Sequence, residues 1–383
     1  MKKTNSLLVI ILTVLIFLTV ANLVQAVEIV KSIPLNVGTT LAYDSYKGAI
    51  WVTTYYSYVN EIGMHVSGPT NTVSAISDSN YKVLANVTVG QNPSSIAYDS
   101  ALHEIYVTNQ GAGTVSVISD KSNSVVATID LNANANHGGI SNIVYDSGKG
   151  EMFVSSYTYG GVIVISDTTK QVVATIPLGN DPYPTGLIYD SGKGEIYVSY
   201  AGLPEKNPAS FMSVISDATN SVIATVPLDN GIADVGAYDP ATGEIYITNP
   251  INSSLLVISD QTHTVVDSIP LEHYPMGIGY DPVKRVLFVG NAYSTTYIIS
   301  DRTKSVIEDV PISSVLMLYD SGRNVMLDLG NASIQFVSDD SLPSVSPTSS
   351  IPEFPAIAVL TLSVAALFVA VKLKHRKTVS FDS

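Results

Sequence analysis

Ser95-Ile96-Ala97-Tyr98-Asp99, Glu104-Ile105-Tyr106-Val107-Thr108-Asn109, Thr114-Val115-Ser116-Val117-Ile118-Ser119-Asp120 and Val125-Val126-Ala127-Thr128-Ile129 follow one another along the chain. Each segment is rich in Val, Ile, Tyr and Thr and is bounded by Gly, Asn, Asp or Ser. That is strand composition with turn punctuation, without a helical period. The Tyr-Asp pair that ends the first segment recurs at Tyr43, Tyr98, Tyr145, Tyr189, Tyr238, Tyr280 and Tyr319. A Ser-Asp pair closes the third segment at Asp78, Asp120, Asp167, Asp217, Asp260, Asp301 and Asp339. Two independent markers therefore count seven copies of a four-stranded unit. A repeat of this length with four strands per copy predicts an all-β fold: a seven-bladed β-propeller of four-stranded antiparallel blades over residues 27–340.

The repeat also predicts local structure. Small or slim residues precede the marker tyrosine, as in Ala42, Ala97, Val144, Ala237 and Gly279. They suit the innermost strand, where the sheets converge on the axis. The aspartate after the tyrosine starts a turn, as in Asp146-Ser147-Gly148-Lys149-Gly150. Aspartate there bonds its own backbone and glycine supplies a positive φ, so the spacing needs no metal ring. The seventh copy lacks its fourth strand, and Ile29-Val30-Lys31-Ser32-Ile33-Pro34-Leu35 has the form of the missing one. The N-terminal strand is thus expected to pair with 333–338 and close the last blade, burying Ile29 and Ile33. In the seventh copy Asp328 interrupts an apolar run, which predicts a distorted blade.

Ile105-Tyr106-Val107-Thr108-Asn109, and more loosely Ile196-Tyr197-Val198-Ser199 and Ile245-Tyr246-Ile247-Thr248-Asn249, resemble the YVTN β-propeller repeat. That resemblance implies an exported protein of archaeal surface-layer type. It speaks for fold more than for function, because the recurring residues are structural.

The two ends read differently. Lys2 and Lys3, an apolar run from Leu7 to Val20 and Val24-Gln25-Ala26 have the order of a secretory signal, so 1–26 are expected to be removed. Residues 341–352 form a Ser/Pro-rich stalk. Within 353–373 an uncharged run from Ala356 to Val371 comes close to a transmembrane span, and 374–383 form a basic cytoplasmic tail. Pro352, Glu353 and Phe354 stand directly before that run. Together these features resemble the PEF-CTERM sorting signal, which implies processing by an archaeosortase-type enzyme and attachment to lipid. Either route places the propeller at the cell surface, membrane-anchored.

Composition narrows function. The 383 residues include no cysteine, so thiol nucleophiles, disulfides and zinc–cysteine sites are excluded. The net charge is −14, and it grows more negative once the basic ends are set aside. No nucleic-acid partner is expected, because phosphate neutralisation needs clustered Lys and Arg. No nucleophile elbow or phosphate loop is present, and no cofactor is expected.

In an up-and-down blade the first-to-second and third-to-fourth turns share one face, which here is repetitive. The remaining loops share the other, and they vary. An insertion from Tyr55 to Asn71 and another from Tyr200 to Phe211 fall there, with Glu205, Lys206, Asp181, Asp234 and Tyr293. Candidate ligand contacts on this face are Tyr55, Tyr56, Tyr58, Tyr159, Tyr183 and Tyr274. Tyrosine offers a flat apolar face and a hydroxyl, which suits a protein or glycan ligand. Lys149 and Lys193 on the repetitive face are expected to be bystanders. A three-histidine site from His65, His137 and His273 is possible in outline but has no supporting spacing. Asn86, Asn252 and Asn331 begin glycosylation triplets. The reading is a non-catalytic cell-surface binding propeller, the alternative an extracytoplasmic enzyme of lactonase or lyase type working in the central funnel.

Overall fold

The computed structural model describes residues 28–338 apart from 35–36, 60–64, 132–138, 180–182, 201–209, 229–234, 292–294, 313, 315 and 331–332. The signal segment, stalk, sorting motif, apolar run and basic tail all lie outside the described residues. Among the described residues no helix is long and apolar enough to cross a membrane.

Among the described residues twenty-eight strands form seven four-stranded antiparallel sheets. Blades 1 to 6 occupy 37–88, 93–130, 140–177, 184–228, 236–270 and 275–310, each in sequential strand order. Blade 7 combines 316–338 with the N-terminal strand Glu28–Pro34, which pairs antiparallel with Ser333–Ser338 from Glu28↔Ser338 to Pro34↔Ser333. The expected closure is therefore present. Its side chains differ in part, because Ile33 packs on the blade 7–1 core whereas Ile29 is exposed. The strand containing Asp328 is regular: Val325–Gly330 pairs on both sides without a register shift, so the expected distortion is absent.

The sequence pattern follows from each strand's position. Second strands are sandwiched between neighbouring blades and are apolar on both faces, as with Ile105, Tyr106 and Val107. Outer strands meet solvent and bury little beyond one side chain, such as Ile129, Ile176 or Ile269. The core is consequently seven separate clusters, one at each blade interface. A large second-strand side chain faces the following blade in each: Trp51, Tyr106, Phe153, Tyr197, Tyr246, Phe288 and, smaller, Leu327. Full burial of each contributes about 1.5–3 kcal/mol.

The repetitive face fastens blade to blade. Turn aspartates 44, 99, 146, 190, 239, 281 and 320 are all buried. Each accepts backbone N–H groups of its own turn, as at Asp146 from Gly148 and Lys149 (2.8 and 3.1 Å). The marker tyrosine of the next blade adds a bond across the interface: Tyr280 Oη donates toward Asp239 (2.8 Å) and Asp301 (2.9 Å). Burial first, then those carboxylates, raise the Tyr280 hydroxyl far above the ordinary tyrosine range. The turns end in a left-handed residue that need not be glycine: His103, Arg285 and Asn324 adopt φ of 57°, 60° and 54°. Gly194 does need its missing side chain, since a Cβ would stand 2.2 Å from Asp217.

Candidate functional site

Loop face and turn face differ in what their polar groups do. On the turn face they are largely spent on neighbouring blades. Lys170 bonds Glu104 and Tyr106 one blade back, Lys304 does the same with Glu244 and Tyr246, and His263 meets Glu195 at 3.0 Å. Lys149 donates to the Asp217 carbonyl (2.6 Å) and Lys193 to that of Asp260. These two lysines therefore fasten neighbouring blades together.

The loop face holds the sequence-predicted tyrosines. Tyr159 lies in the second-to-third turn of blade 3, 42% exposed, with its hydroxyl anchored on the Leu131 carbonyl at 3.0 Å. Tyr183 opens blade 4 at 38% exposure, its ring 5.9 Å from that of Tyr157. Tyr274 precedes blade 6 at 46% exposure. Tyr157 and Tyr183 thus form one local pair across the blade 3–4 boundary. Tyr55, Tyr56 and Tyr58 lie on a strand, Ala49–Val59, which pairs with His65–Ser77 as far as Val59↔His65. The expected loop insertion is mostly a hairpin that prolongs blade 1; the side chains of these three tyrosines and of His65 lie outside the described residues. Asp181, Glu205, Lys206, Asp234, Tyr293, His137 and Asn331 also lie outside them. Among the described residues no three metal-ligating side chains cluster.

The inner strands enclose an axial cavity of about 290 Å³. Thr40, Ser94, Ser141 and Asn142 make one side of it polar, while Leu187, Val235, Ile278 and Met317 make the other apolar. Ser94 bonds Thr108 at 2.9 Å and Ser95 bonds Asn142 at 3.2 Å, so the polar side is partly committed to its own scaffold. No described lining residue is ionisable.

Sequence reasoning missed the character of Asp328. It stands where blades 1 to 6 carry Val52, Val107, Val154, Val198, Ile247 and Val289, and it is fully buried. Burial pushes its carboxyl up to about 7, only partly offset by the nearby Ser314, and neither carboxylate oxygen has a hydrogen-bond partner. The apolar consensus of the other six copies was the available signal. Of the glycosylation candidates, Asn86 is exposed on an outer strand, its Oδ1 accepting from Ser74 at 2.7 Å, and Asn252 is exposed in a turn. The five residues of the Ile105–Asn109 motif are all buried, and Asn109 bonds Thr114 and Ser116 at 3.0 and 2.9 Å.

Neither a family model nor a curated protein matches the sequence. Solved structures do match in fold. A chain of the Kuenenia stuttgartiensis hydrazine synthase superposes with a TM-score of 0.66 at 14% identity, covering 81% of this chain and 97% of that one. The β-propeller domain of Myceliophteria thermophila Cps50 (Swd1) superposes with a TM-score of 0.64 at 10% identity, covering 84% and 100%. The expectation that the chain is not an enzyme is corrected by the first of these, since the same fold serves in a protein named as a synthase. At such identities the likeness establishes the architecture alone: this chain is a seven-bladed β-propeller.

Proposed function

We propose that the chain is an exported propeller of YVTN-repeat type, tethered at the cell surface, which binds a protein or glycan partner through its loop face. The contrast between the faces carries this reading. Several turn-face side chains, Lys149 and Lys193 among them, are engaged in inter-blade bonds, whereas Tyr159, Tyr183 and Tyr274 stand exposed among loops of unequal length. Tyr55, Tyr56 and Tyr58, on the blade 1 hairpin, are counted with them as candidate contacts from the sequence. The signal-like N-terminus, the Pro352-Glu353-Phe354 motif and the basic tail supply the route to the surface, an archaeosortase-type enzyme being the processing partner and a surface layer the setting.

The test is a glycan array and surface crosslinking with the intact chain, comparing native protein with a Tyr183→Ala/Tyr274→Ala variant. Loss of two ring contacts should weaken partner binding by roughly one to two orders of magnitude. Unchanged capture by the double variant sinks the loop-face assignment. Recovery of a peptide spanning Ala26-Val27 from mature cell-surface protein sinks cleavage of the signal.

A further inference from the structure

Seven turns join inner to second strands on one design, and one of them departs from it. The second residue after the turn aspartate is Tyr46, Ala101, Gly148, Gly192, Ala241, Val283 and Gly322 in blades 1 to 7. Blade 1 alone places an aromatic ring there, and Tyr46 is 72% exposed. A ring so exposed gains little from burial. It is nevertheless held: its centroid lies 4.0 Å from that of His103, with the planes tilted by 32°. His103 is fixed in turn by its left-handed backbone and by Tyr98 Oη, 3.1 Å from Nδ1.

Beside this stacked pair opens a cavity of about 480 Å³ between blades 1 and 2, within the size range of small-molecule sites. Tyr46 and the half-exposed Leu102 supply an apolar wall. Ser119, Asp120 and Lys121 supply the polar edge. Asp120 is 2% exposed, and its Oδ2 has no hydrogen-bond partner. Lys47 is committed elsewhere, donating to the Asp120 carbonyl and to Asn123 Oδ1 (2.5 Å).

The mixture selects a ligand class. A carboxylate, a hydroxyl and an ammonium side by side meet groups that both donate and accept, which hydroxyls do. A phosphate would face Asp120, with Asp44 close behind it. A planar aromatic ligand would satisfy Tyr46 but leave the polar edge unmet. A sugar ring has an apolar C–H face for Tyr46 and hydroxyls for the edge. We propose that the pocket formed by Tyr46, Leu102, His103, Asp120 and Lys121 binds one neutral pyranose ring, stacked on Tyr46 and hydrogen-bonded by Asp120 and Lys121. It lies on the turn face and does not depend on the loop-face reading.

Saturation-transfer NMR on the full-length chain tests this with methyl glucoside, methyl galactoside and methyl mannoside, and with inorganic phosphate and benzoate as competing chemistries. At least one glycoside should show transfer to its ring C–H protons. Tyr46→Gly, which installs the residue of blades 3, 4 and 7, should weaken that binding roughly tenfold, while Tyr46→Phe keeps it. Asp120→Asn and Lys121→Ala should each weaken it, and Tyr274→Ala should leave it unchanged, which separates this site from the loop face. Tyr46 and Lys121 are exposed, so their variants read binding rather than folding. Transfer to none of the glycosides overturns the proposal. So does glycoside binding that survives Tyr46→Gly, or binding of phosphate or benzoate in place of the sugars.

Discussion

Tyr246 is fully buried between blades 5 and 6, yet its hydroxyl lies 2.9 Å from Glu244 and is also met by Lys304. Blades 3 and 6 hold Phe153 and Phe288 at the same position, so the ring is what the interface requires and the hydroxyl is an addition. Tyr246→Phe should therefore cost only about 1 kcal/mol, because Lys304 still neutralises Glu244. Lys304→Met should cost more, about 2–3 kcal/mol, since it strands a largely buried carboxylate. Urea unfolding of the two variants checks the order. Asp328 gives a pH-dependent counterpart. Its carboxyl titrates near 7 in the folded chain and near 4 when unfolded, so the folded state retains a proton across that interval which the unfolded state has lost. The Asp328 contribution to stability should thus be fully present below about pH 4, fall as pH rises toward 7, and change no further above it, with up to about 4 kcal/mol at stake. Asp328→Val should remove that slope and raise the melting temperature at pH 8 by several degrees while leaving it nearly unchanged at pH 4. A variant whose advantage is the same at both pH values would show that Asp328 does not titrate in this window.

All seven outer strands share a feature that no single segment announces. Val125 pairs with Ile118 and Ala127 with Val117, which leaves Val126 as an extra residue in a β-bulge. The same shift falls at Val30, Leu84, Val173, Ile223, Val266 and Ile307, and each of these side chains is between 43% and 53% exposed. Strand existence was legible from Val-Val-Ala-Thr-Ile, but doubled β-branched residues look the same whether the strand is regular or bulged. Left-handed turn positions were hidden likewise, because Tyr81, Lys170, His263 and Lys304 occupy them instead of glycine. In blade 1 the stretch from Tyr55 to Asn71 carries no strand signal that sets it apart from an inserted loop, whereas the ladder in fact continues to Val59↔His65. Bulges twist an outer strand away from any matching edge and so discourage pairing between molecules. Deleting Val173 alone should restore a flat apolar edge on blade 3. Its far-UV circular dichroism should stay propeller-like while size-exclusion chromatography shows concentration-dependent association; a strictly monomeric deletion would mean that the bulge has no protective role.

At the scale of the whole ring, repetition decides what sequence can convey. Blade number, strand order and closure were legible because the same steric demands recur at each interface, so seven copies of Tyr-Asp and Ser-Asp reinforce one another. A binding surface occurs once. The exposure of Tyr183, the pairing of Tyr157 with it and the stack of Tyr46 on His103 depend on contacts across blade boundaries with no second copy for comparison. Closure is the property that belongs to no single blade. The Glu28–Pro34 strand covers the open side of Ser333–Ser338, and Ile33 joins Ile334 and Phe336 in the cluster shared with blade 1. Removing 28–34 exposes those side chains in part, which puts roughly 3–5 kcal/mol at stake, and it leaves an unpaired edge at the junction of first and last blades. Because the junction holds both ends of the ring, the loss should loosen blades 1 and 7 together, with faster amide exchange in 49–54 and 325–329 and a lower melting temperature. Supplying the same seven residues after Asp340 should restore both, since the missing strand then reaches the same edge from the other end of the chain. An unchanged melting temperature after deletion, or slow exchange preserved in blade 1, would mean that the N-terminal strand decorates a ring already closed by the remaining twenty-seven strands.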